Sequence, residues 1–174
     1  NYIVNEQGRQ DHVANTMSAP YYRFDGVNDY ISKSTDANLQ MGTGDWSILA
    51  TVKNTGNDGV ENSIFKVYDA GTTDRLYFMI LGTGYLNTVV AESGTLVTTA
   101  ANGKNIGADD KWHNLVATFD RSSATGSKIY IDGVEESYSA QGDMTTIPGT
   151  IASTGVNYTG IHIDGSSRPF AGEI

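Results

Sequence analysis

Between residues 44 and 54 the chain reads GDWSILATVKN, and Trp46, Ile48, Ala50 and Val52 recur there at every second position with Ser47, Thr51 and Lys53 between them. A period of two sends alternate side chains to opposite faces of an extended chain, so this run predicts a half-buried strand, with Leu49 as the one apolar residue on its polar face. The same period returns in Leu76, Phe78 and Ile80, in Leu115, Ala117 and Phe119, in Ile129 and Ile131, and in Ile161 and Ile163. No run of comparable length carries a 3.6-residue period flanked by caps. Gly, Asn, Asp, Ser and Thr cluster between the runs, and there are 20 glycines against 3 prolines. Asp132-Gly133 joins SKIYI to VEESYS, a pair suited to a two-residue type I′ turn because both central residues need positive φ. Asn102-Gly103, Asp58-Gly59 and Asp164-Gly165 punctuate the chain in the same manner. About ten short strands at such spacing predict an all-β fold of two packed antiparallel sheets.

A length of 174 residues suits one domain, which at this size buries roughly two-thirds of its unfolded surface. Cysteine is absent, which excludes disulfides and zinc thiolates alike. A net charge of −9 argues against nucleic acid and anionic membrane as partners and is compatible with divalent cations. No apolar run approaches the ~20 residues of a membrane-spanning helix. Residues 1–19 show no clean alternation and are closed off by Pro20, so they read as a linker or extended arm ahead of a domain at 20–174. Without an initiator methionine or a signal-peptide pattern at Asn1, the expectation is a piece of a longer polypeptide.

Three stretches in order carry a family resemblance. YYRFDGVNDYI (21–31) resembles the Phe-Asp-Gly-x-x-Asp-Tyr signature of laminin G-like jelly rolls in the concanavalin A-like lectin and glucanase superfamily. DKWHNLVATFDRSSATGSKIYIDGV (110–134) resembles that family's Trp-His strand and Asp-Gly hairpin, and PFAGEI (169–174) the opening of its closing strand. The resemblance spans 20–174 and implies a jelly-roll sandwich. It also implies a calcium ion held by the first signature and the closing strand, which places candidate ligands at Asp25, Asn28, Asp29 and Glu173. Two departures accompany it: the family's opening strand is not recognisable in 1–19, and its closing strand runs on beyond the isoleucine that stands here at 174. Incomplete edges of this kind leave unpaired backbone that invites another chain. The lead-in NYIVNEQGRQDHVANTMSAPYYRFDG further resembles those of phage jelly-roll proteins.

The residues themselves leave the chemistry of the first signature open. Calcium takes six to eight oxygen ligands, and Asp25, Asn28 and Asp29 supply three side chains within five positions, with Gly26 permitting a sharp bend. The same residues suit bonds to their own backbone in an Asx turn. A glycosidase needs paired carboxylates about 5–9.5 Å apart, yet the Glu-x-Asp-x-x-Glu strand pattern of the superfamily's enzymes is missing. Glu135 and Glu136 are adjacent and point to opposite faces of a strand, and Glu61 and Glu92 are isolated. Phosphate-cradling loops, a nucleophile elbow and zincin histidine spacing are missing too. Trp112 and His113 turn to opposite faces, a structural arrangement. For sugar binding the candidates are Tyr85, Tyr158 and Arg168, with Tyr68 and Tyr138 also beside turns; the alternative is that these tyrosines pack over the rim and Arg168 bridges to Asp164. The sequence thus predicts a non-catalytic recognition module for a glycan or cell surface, extracellular or on a virion. A structural fibre or decoration domain contacting other virion or adhesin subunits is the second expectation.

Overall fold

The computed structural model describes residues 21–34, 36–56, 59–68, 74–151, 154–161 and 168–174. The expected arm at 1–19 lies outside them. Among the described residues there are thirteen strands: β1 (Arg23–Asp25), β2 (Ile31–Lys33), β3 (Trp46–Asn54), β4 (Asn62–Tyr68), β5 (Arg75–Ile80), β6 (Leu86–Glu92), β7 (Thr95–Ala101), β8 (Trp112–Phe119), β9 (Ser127–Ile131), β10 (Val134–Glu135), β11 (Tyr138–Gln141), β12 (Asn157–Thr159) and β13 (Ala171–Glu173). They form a six-stranded sheet in the order β1-β13-β3-β8-β9-β10 and a seven-stranded sheet in the order β11-β7-β6-β5-β4-β12-β2. Every pairing is antiparallel.

Alternation decides which side chains meet between the sheets. On β3, Trp46, Ile48, Ala50 and Val52 face inward while Ser47, Leu49 and Thr51 are exposed. On β8 the inward set is Leu115, Ala117 and Phe119 and on β9 it is Ile129 and Ile131. Opposite them stand Leu76, Phe78 and Ile80 of β5, Leu86 and Val90 of β6, and Val97 of β7. The Trp46 and Phe119 rings stack with centroids 3.8 Å apart. Thr99 Oγ1 donates to Ser127 Oγ at 2.7 Å across the buried gap between the sheets, satisfying two hydroxyls that would otherwise be stranded.

Three local expectations are corrected. The strand expected at Ile161 and Ile163 lies earlier, at Asn157–Thr159; Ile161 is buried just past it and Ile163 is outside the described residues. Asn102-Gly103 makes no left-handed turn. The β6–β7 hairpin instead turns on Ser93-Gly94, whose φ angles of 48° and 89° place both residues in the left-handed region, as do 53° and 81° at Asp132-Gly133. Just before β1, Tyr22 exchanges backbone hydrogen bonds with Ile174 at the rim, and its side chain is 67% exposed. Finally, β5 is buried on both faces: Tyr77 and Met79 form a second apolar cluster with Val89 on the outer face of the seven-stranded sheet.

Candidate functional site

The first signature and the end of the chain meet as the sequence predicted. β1 pairs with β13, setting Arg23 opposite Glu173 and Asp25 opposite Ala171, and β13 pairs with β3, setting Glu173 opposite Lys53. Outward-facing residues of three adjacent strands therefore share one surface. A cleft of 510 Å³ lies over it, lined by Arg23, Asp25, Asp29, Lys53, Thr55, Asp110 and Glu173. Gly26 makes the bend after β1 possible: its φ is 77°, and a Cβ there would stand 2.7 Å from that of Ala171.

Charge inside the cleft is mixed and ordered. Lys53 Nζ lies 3.0 Å from Asp110 Oδ1 and 3.9 Å from Glu173 Oε2. Its hydrogen bond to Asp110, opposed by partial desolvation, holds the ammonium above the ordinary lysine range. Asp25 Oδ1 accepts the backbone N–H groups of Val27 at 2.8 Å and Asn28 at 3.2 Å, and these amides lower its carboxyl below the usual carboxylate range. Asp29 Oδ2 accepts the N–H of Asp25 at 3.0 Å.

The fit of this donor set to calcium follows from those bonds. Asp25, Asp29 and Glu173 do line one cleft, but Asp25 and Asp29 spend an oxygen each on their own turn and Lys53 supplies the positive charge beside Glu173. Asn28 contributes its N–H to the turn and does not line the cleft. Among the described residues no group of three or more acidic or histidine side chains converges as a metal site. The arrangement is an Asx turn beside an ion pair, and calcium does not fit it as it stands.

The sugar candidates stand apart from this cleft and from one another. Tyr85 is half-buried in the β5–β6 turn, where its carbonyl accepts the N–H of Leu81 at 2.8 Å. Tyr158 sits on β12 with its ring edge-on to Tyr30, 5.7 Å between centroids. It flanks Lys66, whose Nζ lies 3.8 Å from the centre of the Tyr77 ring. Arg168 pairs with Glu61 at the margin of that sheet; Asp164, the partner expected for it, is outside the described residues. Tyr138 packs against the core with its hydroxyl accepting the Ile129 N–H at 3.1 Å.

Sequence reasoning set Trp112 and His113 on opposite faces but did not reach their partners. Trp112, opposite Lys53 on β8, is 45% exposed and its ring lies 5.4 Å from that of Tyr21, so an aromatic wall stands beside the charged residues. The signal was the phase of the Trp-His pair, since His113 on the other face is only 4% exposed. Its Nδ1 is 2.7 Å from Asp132 Oδ2 and its Nε2 2.9 Å from Asp109 Oδ2. Lys104 donates to the same Asp132 oxygen at 2.5 Å. The Lys104 and His113 hydrogen bonds, against some burial, hold Asp132 well below the usual carboxylate range. Burial opposes the same effect at Asp109, where the bonds from His113 and the Lys111 amide prevail and lower it.

Each glutamate considered for hydrolysis is committed elsewhere. Glu135 pairs with Lys128 at 3.2 Å, Glu136 accepts the Lys104 N–H at 2.6 Å, and Glu92 accepts the Gly149 N–H at 2.7 Å. Glu61 is held by Arg168.

Two antiparallel sheets packed through inward-facing alternate residues define a jelly-roll sandwich. The chain belongs to the concanavalin A-like lectin/glucanases superfamily, whose laminin G-type sequence profile matches residues 25–174. No curated protein matches the sequence. Among solved structures, domains LG4-5 of the mouse laminin alpha1 chain are 16% identical with a TM-score of 0.64, over 89% of this chain and 39% of that one. The CBM40 of the Ruminococcus gnavus IT-sialidase, bound to alpha2,3 sialyllactose, is 16% identical with a TM-score of 0.54, over 86% and 89%. The binding domain of botulinum neurotoxin serotype G is 12% identical with a TM-score of 0.54, over 88% and 42%. At such identity these likenesses are of fold. No helix among the described residues is long and apolar enough to cross a membrane.

Proposed function

We propose that this domain is a non-catalytic recognition module that binds a glycan in the cleft between β1, β13 and β3, on an extracellular surface. The observation that carries the reading is the cleft itself: one concave surface of 510 Å³ holds Arg23 and Lys53 among Asp25, Asp29, Asp110 and Glu173. Sugar hydroxyls both donate and accept, so carboxylates and cations set side by side suit them, and the exposed ring of Trp112 offers the apolar face on which a pyranose stacks. The named neighbours support it by analogy of fold, since one of them is a carbohydrate-bound module. Engagement of the glutamates in structural pairs favours binding over hydrolysis. A glycan array probed with the wild-type domain and with Arg23→Ala and Glu173→Gln tests the proposal: binding by the wild type that both variants weaken supports it, and no binding by the wild type at millimolar sugar counts against it.

A further inference from the structure

The connection from β7 to β8 crosses from one sheet to the other and passes beside the cleft. Ile106 on it is fully buried, with its N–H donating to the Gly84 carbonyl at 2.9 Å, and β8 begins at Trp112. Residues 107–111 therefore bridge two fixed points. Two of them are left-handed without being glycine: φ is 51° at Ala108 and 56° at Asp110. Aspartate tolerates that region, whereas alanine has no side-chain bond to offset the clash of its Cβ with the following carbonyl. Ser93 and Asp132, also left-handed, stand in two-residue hairpins whose twist asks for it. Ala108 has no such reason, and strain of this kind persists only where the surroundings over-determine it.

Asp109, between the two, supplies what holds it. Its Oδ1 accepts the Lys111 N–H at 3.2 Å and its Oδ2 lies 2.9 Å from His113 Nε2. The His113 ring is held on its other side by Asp132, 2.7 Å from Nδ1, so it does not follow the loop. Asp109 is drawn inward onto that ring and the next residue turns outward. Asp110 lines the cleft, its N–H donates to the Asn54 carbonyl at 3.3 Å, and its Oδ1 lies 3.0 Å from Lys53 Nζ.

We infer that Asp109 and His113 are positioning residues of the cleft: their bond holds the left-handed turn at Ala108–Asp110 against its strain and so sets Asp110 beside Lys53. The inference deepens the glycan reading and rests on it, since neither residue lines the cleft and both act through Asp110. With Asp110 in place the Lys53 ammonium is paired, and a sugar meets a fixed edge of carboxylate and ammonium. Groups fixed in advance lower the ordering cost of binding. Without the bond, the segment relaxes towards negative φ and Asp110 withdraws from Lys53.

The test reads Lys53 and needs no sugar. The folded domain is acetylated with limiting N-hydroxysuccinimide acetate, and the rate at each lysine is followed by peptide mass spectrometry. In Asp109→Ala the rate at Lys53 is expected to rise by about threefold or more, because an amine released from Asp110 holds its proton less firmly. Rates at Lys33 and Lys128 are expected to stay as in the wild type. Asp109→Asn keeps an oxygen for the Lys111 N–H and loses the charge facing His113; it is expected to fall between, and it carries the test if the alanine variant does not fold. Adding Ala108→Gly to Asp109→Ala is expected to bring Lys53 back towards the wild-type rate, since glycine adopts the left-handed turn without the clash. That rescue would not follow if Asp109 only steadied β8. A wild-type rate at Lys53 in the Asp109 variants overturns the inference, as does a double variant as fast as the single one. A glycan array on which the wild-type domain binds nothing overturns the recognition reading instead, so the two failures are distinguishable.

Discussion

At the scale of single residues, the His113 network ties the start of β8 to the hairpin after β9, and its consequence is a pH dependence. Asp132 and Asp109 both have carboxyls lowered in the folded state. A lowered carboxyl stabilises the fold fully above its unfolded value near 4 and loses that contribution as pH falls through the folded value. Melting temperature is therefore expected to fall from about pH 5 downwards, and Asp132→Asn is expected to lower it at pH 7 and to flatten this acid limb. Thermal melts across the acid range check both; an Asp132→Asn melting curve parallel to wild type at every pH would refute the role given to this carboxylate. The network was half legible in the sequence. The phase of Trp112 and His113 predicted one ring in and one out, but the two aspartates come from different loops, and no local pattern announces a partner reached through the fold.

At the scale of elements, period-two alternation specified most of the sandwich because each strand has one face that must leave water. Phe119→Ala, at a position 1% exposed and stacked on Trp46, is expected to cost ~3–5 kcal/mol. Trp46→Ala is expected to cost less, since Trp46 is only half-buried. Urea denaturation of both variants measures the difference, and a larger loss at Trp46 would contradict the burial assigned to the two rings. Turns were less legible. Asp132-Gly133 was evident from its residue types, whereas Ser93-Gly94 was not, because serine is a weak signal for a left-handed residue. Gly94→Val is expected to destabilise by about 1–2 kcal/mol, as read from the same denaturation curves. The strands at β5 hid their second buried face, since a run apolar on both sides carries no period.

At the scale of the whole molecule, the sequence resemblance correctly joined the first signature to the closing strand, because their pairing is a property of the fold. It did not foresee how the carboxylates would be used. Asp25 serves its own turn, and Lys53, from neither motif, supplies the cation beside Glu173. Melting temperature is accordingly expected to stay unchanged when millimolar calcium or EDTA is added, whereas a resident ion would raise it by mass action. The same three-strand surface carries the functional proposal. Its most direct measurement is amide chemical-shift mapping by NMR with the strongest binder from a glycan array. The account predicts shifts concentrated at Arg23, Asp25, Asp29, Lys53, Asp110, Trp112 and Glu173; shifts concentrated instead on the outer face of the seven-stranded sheet, around Lys66 and Tyr158, would contradict it.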